Sequence, residues 1–489
     1  MTTVQTKFDS LNPATDEVVG SYPIHTAEEV QAAVDRARAA ADWWAELGFA
    51  GRGERLQRWK SVITRRAREL AAVVRAETGK PHADAMLEII LAVDHTAWAA
   101  GNARKVLGPQ RRWSGLLMAN QASTVEYQPL GVVGVIGPWN YPVFTPMGSI
   151  AYALAAGNAV VFKPSEYTPA VGSWLAETFA EVVPEHPVFQ VITGFGATGA
   201  ALCRSGVAKL AFTGSPATGK KIIAACADTL TPVLIEAGGK DALIVDSDAD
   251  INAAADAAVW GGFANAGQTC AGVERVYVHE KVYDDFVAKV VEKSRMVQPG
   301  FGDTAKIGPI TMPAQLDIIR RHIADAITRG GRAIVGGQVG ERYVQPTVLV
   351  DVPEDSLAVR EETFGPTMTI AKVRDMDEAI AKANDSKYGL GGSVFSRSRG
   401  MELARRLRSG MVAVNSVISF AGVPSLPFGG SGDSGFGRIH GPEGLREFGT
   451  AKSITRQRFR APLTLTTFVR GAKVDERVEK LITLLHGRK

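Results

Sequence analysis

The sequence predicts an α/β protein built from two large domains that share a cleft, on three observations. Strand-like runs alternate with helical patterns from Ser123 to beyond Asn415, the pattern of βαβ units whose sheet faces are covered. The run 131–136 is continuously apolar after its first glycine, as a parallel strand buried on both faces must be. The chain has 489 residues, 45% hydrophobic and 22% charged, enough apolar material for large cores in about two or three domains.

The elements follow in order. Segments 27–41 and 53–78 carry apolar residues at helical spacing with charges between them, which predicts two amphipathic surface helices. Segment 124–128 alternates like a strand, and the buried strand 131–136 follows. Then come strand 159–163, helix 171–183, strand 189–193, helix 196–204, strand 209–213, helix 218–227 and strand 233–236. A second alternating series opens at 242–245, includes strand 276–278 and runs past 412–415. No low-complexity linker separates the two series, and no repeat recurs at a period of 20–50 residues.

Charge and composition exclude several classes. A net charge of +4 argues against a dedicated nucleic-acid binder. Three cysteines exclude a disulfide scaffold and a multi-cysteine zinc module, and no metal site is expected. The first residues lack the basic start and apolar run of a signal peptide, which predicts a cytoplasmic protein. No charged residue lies between Glu126 and Lys163, a stretch of 36 positions that could in principle cross a bilayer. Pro138, Asn140, Pro142, Pro146 and Asn158 interrupt it, so a buried strand, a functional turn and a buried helix are expected instead. Charge is also unevenly placed. From Lys452 to Lys489 there are ten Lys and Arg against three acids, so the body is −3 and the end is +7.

Few residues can carry chemistry. Cys203 and Cys226 lie in helical patterns and fit small buried positions. Cys270 sits in the polar, glycine-flanked turn Asn-Ala-Gly-Gln-Thr-Cys-Ala-Gly, where a thiol can be exposed and backbone N–H groups can stabilise a thiolate. No histidine is marked as its partner, His440 in its glycine-rich segment included. Glu236 ends an apolar strand before Ala-Gly-Gly-Lys; it fits either a surface acid in a turn or a general base with a raised pKa. Asn140 follows a buried strand and is a turn residue or a donor to a developing oxyanion. Three loops end consecutive strands: Gly194-Phe-Gly196-Ala-Thr-Gly199, Phe212-Thr-Gly214-Ser215, and Lys163-Pro-Ser-Glu166. The first fits G-x-G-x-x-G but lacks the expected acid about 20 residues on. Singly each loop could be structural; together they point to a dinucleotide in a switch-point crevice.

Seven ordered motifs carry a resemblance: Pro138-Trp139-Asn140-Tyr141-Pro142, Lys163-Pro-Ser-Glu166, Phe212-Thr-Gly-Ser215, Glu236-Ala-Gly-Gly239, Gly267-Gln-Thr-Cys270, Glu362-Thr-Phe364-Gly-Pro366 and Pro427-Phe428-Gly-Gly430. Over roughly residues 10–455 the chain resembles the NAD(P)-dependent aldehyde dehydrogenase superfamily. The resemblance implies a Rossmann-like cofactor domain (1–110 and 130–238), an α/β catalytic domain (239–448) and a small β oligomerisation arm (111–129 and 449–460), leaving a basic tail at 461–489. It implies that Cys270 attacks an aldehyde and that Asn140 and the Cys270 N–H hold the oxyanion of the thiohemiacetal. Hydride transfer to the nicotinamide would leave a thioester, hydrolysed by water that Glu236 activates. Trp139 and Ser215 would contact the pyrophosphate, Lys163 and Glu166 the adenosine ribose, and Glu362 and Phe364 the nicotinamide side. Ile136, Gly196, Phe212 and Gly214 would complete the cofactor site. A homodimer or homotetramer would form through strand edges of the arm.

Three departures from the family pattern matter. Ala237 follows Glu236 where many relatives have Leu. Ala271 follows Cys270, so no vicinal thiol is present. The segment 143–150 holds no arginine, whereas succinate-semialdehyde members often carry a carboxylate-binding arginine there. The expected substrate is therefore an uncharged aliphatic or aromatic aldehyde, with Tyr141, Met147 and Phe428 as pocket walls; the alternatives are succinate semialdehyde, or acyl transfer to coenzyme A. Glu166 would repel a 2′-phosphate, so NAD is preferred, and NADP remains usable if Glu166 swings aside. In the tail, Val474, Val478, Leu481, Ile482 and Leu485 form one helical stripe flanked by Lys473, Arg477 and Lys480. It fits packing within or between subunits, or association with an anionic membrane.

Overall fold

A computed structural model describes residues 5–302, 304–461, 466–469 and 471–487. The chain forms two compact units, 1–107 with 128–450, and 108–127 with 451–489. Part of the predicted tail, 462–465, 470 and 488–489, lies outside the described residues.

The first unit holds both expected sheets. In one, five strands run parallel in the order Val233–Ala237, Lys209–Gly214, Val132–Ile136, Ala159–Lys163 and Phe189–Val191, with Gly435–Phe436 added antiparallel beside Val233–Ala237. The chain steps outward from Val132–Ile136 on one side, then returns to build the other, so the order reverses between Val132–Ile136 and Lys209–Gly214. Ligands bind outside the carboxyl ends of strands at such a reversal. The second sheet has seven strands: Arg332–Val335, Thr347–Val350, Thr367–Val373, Val273–His279, Asp241–Val245, Gly392–Phe395 and Ala413–Val414. Its core packs Leu243, Val276, Ile370 and Phe395 against Phe263 and Phe286.

Local chemistry explains several boundaries. Helix Ala27–Glu46 opens on a capping box, with Thr26 and Glu29 bonding each other's backbone N–H. The single helix expected over 53–78 is two, Gly48–Arg65 and Ala67–Thr78, because the backbone leaves helical geometry at Arg66 (φ −103°, ψ 19°). Apolar periodicity persists through such a break and does not reveal it. The uncharged stretch resolves into strand Val132–Ile136, a turn and helix Phe144–Ala156, whose last twelve residues are buried; Gly157, at φ +107°, ends it. Among the described residues no helix is long and apolar enough to cross a membrane.

The second unit holds a three-stranded sheet with Gln121–Pro129 between Gln110–Arg112 and Gly449–Gln457. Helix Ala472–His486 follows, with no buried residue.

Candidate active site

Sheet register assembles the crevice. Ile136 stands opposite Lys163 on one side and Phe212 on the other, and Thr213 stands opposite Glu236. Four residues far apart in sequence therefore end four adjacent strands on one edge. A cavity of about 710 Å³ opens there. It is lined by Ile136, Trp139, Asn140, Lys163, Glu166, Gly196, Phe212, Gly214, Ser215, Glu236, Cys270, Glu362 and Phe364. Tyr141, Met147 and Phe428 are not among its walls. Met147 is buried within its helix, and Phe428 packs against Phe420 and His440. Tyr141 shares a 3.0 Å hydrogen bond with the Thr269 hydroxyl, and Lys80 Nζ lies 4.5 Å from its ring centre.

Glu236 is the most unusual group in the cavity. It is 1% exposed, and neither carboxyl oxygen has a hydrogen-bond partner. Burial pushes its pKa up to about 7, although the nearby Cys270 thiol and Thr213 hydroxyl pull the other way. Cys270 departs from expectation in its ionisation. Burial and then the Glu236 carboxylate push its thiol well above the ordinary range, with Asp241 and Glu362 adding to the effect.

The turn before Cys270 is tightly determined. Asn265, Ala266 and Gly267 take positive φ values of 53°, 56° and 71°. At Gly267 a Cβ would stand 2.0 Å from the Gly365 carbonyl oxygen, so only glycine fits. Asn140 Nδ2 donates to the Gln268 carbonyl at 2.9 Å. The Asn140 carbonyl in turn accepts from Lys80 Nζ at 2.7 Å and from Asn265 Nδ2 at 3.0 Å. Lys80 pairs with Glu88 at 2.8 Å, both side chains buried, and the other Glu88 oxygen accepts the Val143 and Phe144 N–H groups. The oxyanion candidate is thus fixed at both ends by residues that sequence reasoning missed. Gln268 and Asn265 stood in a quoted motif; Lys80 and Glu88 had no local signal.

On the far side, Glu362 accepts the Gly239 N–H at 3.1 Å, and a Cβ on Gly238 would stand 1.9 Å from a Glu362 carboxyl oxygen. Glu274, in a buried ion pair with Lys240, accepts the Thr363 and Phe364 N–H groups and so holds the loop carrying Glu362. Phe364 (φ +50°) sets its ring edge-on to Trp139, centres 5.5 Å apart.

The crevice suits a dinucleotide. A Cβ at Gly196 would meet nothing within 4 Å, and helix Pro216–Ala227 opens at Ser215, where backbone N–H groups favour phosphate. Lys163 is buried, its amine donates to the Pro164 carbonyl, and burial lowers its pKa. Cys203 and Cys226 are buried. His440 is fully buried against His95, ring centres 3.9 Å apart, and burial holds its imidazole neutral. Among the described residues no cluster of three His, Cys, Asp or Glu could hold a metal ion.

A doubly wound sheet whose crevice opens onto a cysteine and a buried carboxyl is the frame of a dinucleotide-dependent oxidoreductase. The profile of the aldehyde dehydrogenase family matches residues 1–454, and the chain belongs to that family. It is 35% identical over 487 residues to a Methylomonas protein named 4,4'-diapolycopene aldehyde oxidase, covering 99% of this chain and 92% of that one. It is 36% identical over 453 residues to a Mycobacterium ulcerans protein named as a candidate succinate-semialdehyde dehydrogenase using NADP(+), covering 91% and 87%. The solved NAD-dependent aldehyde dehydrogenase of Sinorhizobium meliloti superposes with a TM-score of 0.89 at 36% identity, over 94% of this chain and 93% of that one. The protein is an NAD(P)-dependent aldehyde dehydrogenase.

Proposed function

We propose that the protein oxidises an uncharged aliphatic or aromatic aldehyde to its carboxylic acid, with NAD preferred, and hydrolyses its own acyl-enzyme. One observation carries this reading: Glu236 is buried beside Cys270 with both oxygens free of hydrogen bonds. Cys270 Sγ adds to the carbonyl carbon, and Glu236 takes the thiol proton. The Asn140 amide and the Cys270 N–H hold the developing oxyanion. NAD held in the crevice by Trp139, Lys163, Glu166, Ser215, Glu362 and Phe364 would supply the hydride acceptor for oxidation of the Cys270 thiohemiacetal to a thioester. Glu236 releases the thiol proton to solvent, then takes a proton from attacking water and passes it to the departing Cys270 sulfur as the acid leaves.

Charge supports the substrate class. Helix Phe144–Ala156 has no charged residue, and the nearby Lys80 is neutralised by Glu88. Among the described residues, neither that helix nor Lys80 offers a free cation to the second carboxylate of succinate semialdehyde. The relative named for diapolycopene aldehyde fits the uncharged class, whereas the mycobacterial name favours the alternative. Glu166 on the cavity wall supports NAD over NADP. Three free thiols suit a reducing, cytoplasmic setting.

Two measurements test this. Glu236→Gln keeps a pre-steady-state burst of reduced cofactor while steady turnover falls at least ~100-fold; an unchanged steady rate removes Glu236 as the base. Across a panel of aldehydes, kcat/KM for long-chain or aromatic substrates exceeds that for succinate semialdehyde at least ~10-fold. The reverse order, or acyl-CoA product when coenzyme A is added, overturns the proposed reaction.

A further inference from the structure

The family profile ends at residue 454, and helix Ala472–His486 lies beyond it. We propose that this helix is an interfacial anchor that lays its apolar stripe into an anionic lipid surface. Val474, Val478, Leu481 and Leu485 recur at intervals of three and four, so they share one face. None of the helix is fully buried: the four stripe residues are half-buried, and Ile482 and Leu484 along its margins are 47% and 67% exposed. Phe468 and Val469, just before it, are fully exposed and add an aromatic and a branched anchor.

Charge selects the occupant. At the helical angle of about 100° per residue, Lys473, Arg477 and Lys480 fall along one margin of the stripe. Their stems can lie on the acyl boundary while their charges reach headgroup phosphates. Asp475 falls beside the opposite margin, and Glu479 and Glu476 continue from it onto the face turned away. The helix itself balances three bases with three acids, so attraction comes from the whole end. Lys452 to Lys489 is +7, while the rest of the chain is −3. An anionic surface therefore attracts this end and repels the body. Length excludes two rivals. Fifteen residues fall short of the roughly 20 that a span needs, and about two heptads fall short of the three or four that sustain a coiled coil.

The test uses the full chain with vesicles of phosphatidylcholine, alone or mixed with phosphatidylglycerol. The protein sediments with the mixed vesicles at low salt, and binding weakens at least ~10-fold on phosphatidylcholine alone or at high salt. Leu481→Glu with Leu485→Glu abolishes binding and leaves kcat on a water-soluble aldehyde unchanged, which shows that the variant is folded. Equal vesicle binding by variant and parent overturns the proposal, as does binding by neither. A fall in molar mass of the variant by light scattering, without parental vesicle binding, shows that a second copy of the chain covers the stripe instead.

Discussion

Glu236 ties reactivity to stability. An ordinary Glu ionises near 4.5, while the folded protein holds this proton up to about 7. Between those values the unfolded chain has released a proton that the folded chain keeps, so the contribution of Glu236 falls as pH rises. It is fully present below 4.5 and lost above 7, a swing of about 3 kcal/mol at 1.36 kcal/mol per pH unit. Glu236→Gln removes that slope. Urea unfolding at pH 5 and pH 8 should show the variant gaining relative to the parent at the higher pH; parallel curves would mean that the carboxyl ionises normally. The same ionisation governs turnover, because only the carboxylate takes the proton from Cys270 or water. Steady rates of the parent therefore climb through pH 7.

Between neighbouring elements, the Lys80–Glu88 pair joins the helix His82–Leu107 to the turn that carries Asn140. It bonds the Asn140 carbonyl and satisfies the first N–H groups of the next helix. Removing one partner leaves a buried charge, so Glu88→Ala should cost about 3–5 kcal/mol and lower kcat as Asn140 shifts. The double change Lys80→Met with Glu88→Leu should recover most of the stability but not kcat, as unfolding curves and steady kinetics would reveal. Full recovery of both would make the pair a packing device alone. Sequence could not expose this pair: Lys80 in its loop and Glu88 in its helical pattern each read as one more surface charge, and nothing local says that both are buried. The strand runs themselves were legible, since continuous apolar runs mark buried parallel strands, and 159–163 needed no adjustment. Register was not. That Ile136, Lys163, Phe212 and Glu236 end adjacent strands depends on sheet order, which hydrophobic period does not encode. The break at Arg66 was hidden because both helices keep their apolar face through it.

At the scale of the whole molecule, the catalytic and cofactor residues proposed here, from Ile136 to Phe364, belong to one chain and line one cavity. None of the described residues of 108–127 and 451–489 is among them. Its strand Gly449–Gln457 is an almost fully exposed sheet edge, an open template for pairing. Trp113 is 85% exposed and is followed by exposed Leu116, Leu117 and Met118, a run of apolar side chains that a second copy would cover. The Ser114 hydroxyl holds this loop against the sheet through Gln121 and Ser123. We infer a homodimer or homotetramer built on this surface. Trp113→Glu with Leu116→Glu places two charges in that interface and should lower the molar mass measured by light scattering to that of one chain, 52.0 kDa. Because one chain supplies the proposed site, kcat per chain should stay within about twofold of the parent. An unchanged mass would move the interface elsewhere. A monomer with lost activity would mean that association, and not the single chain, completes the site.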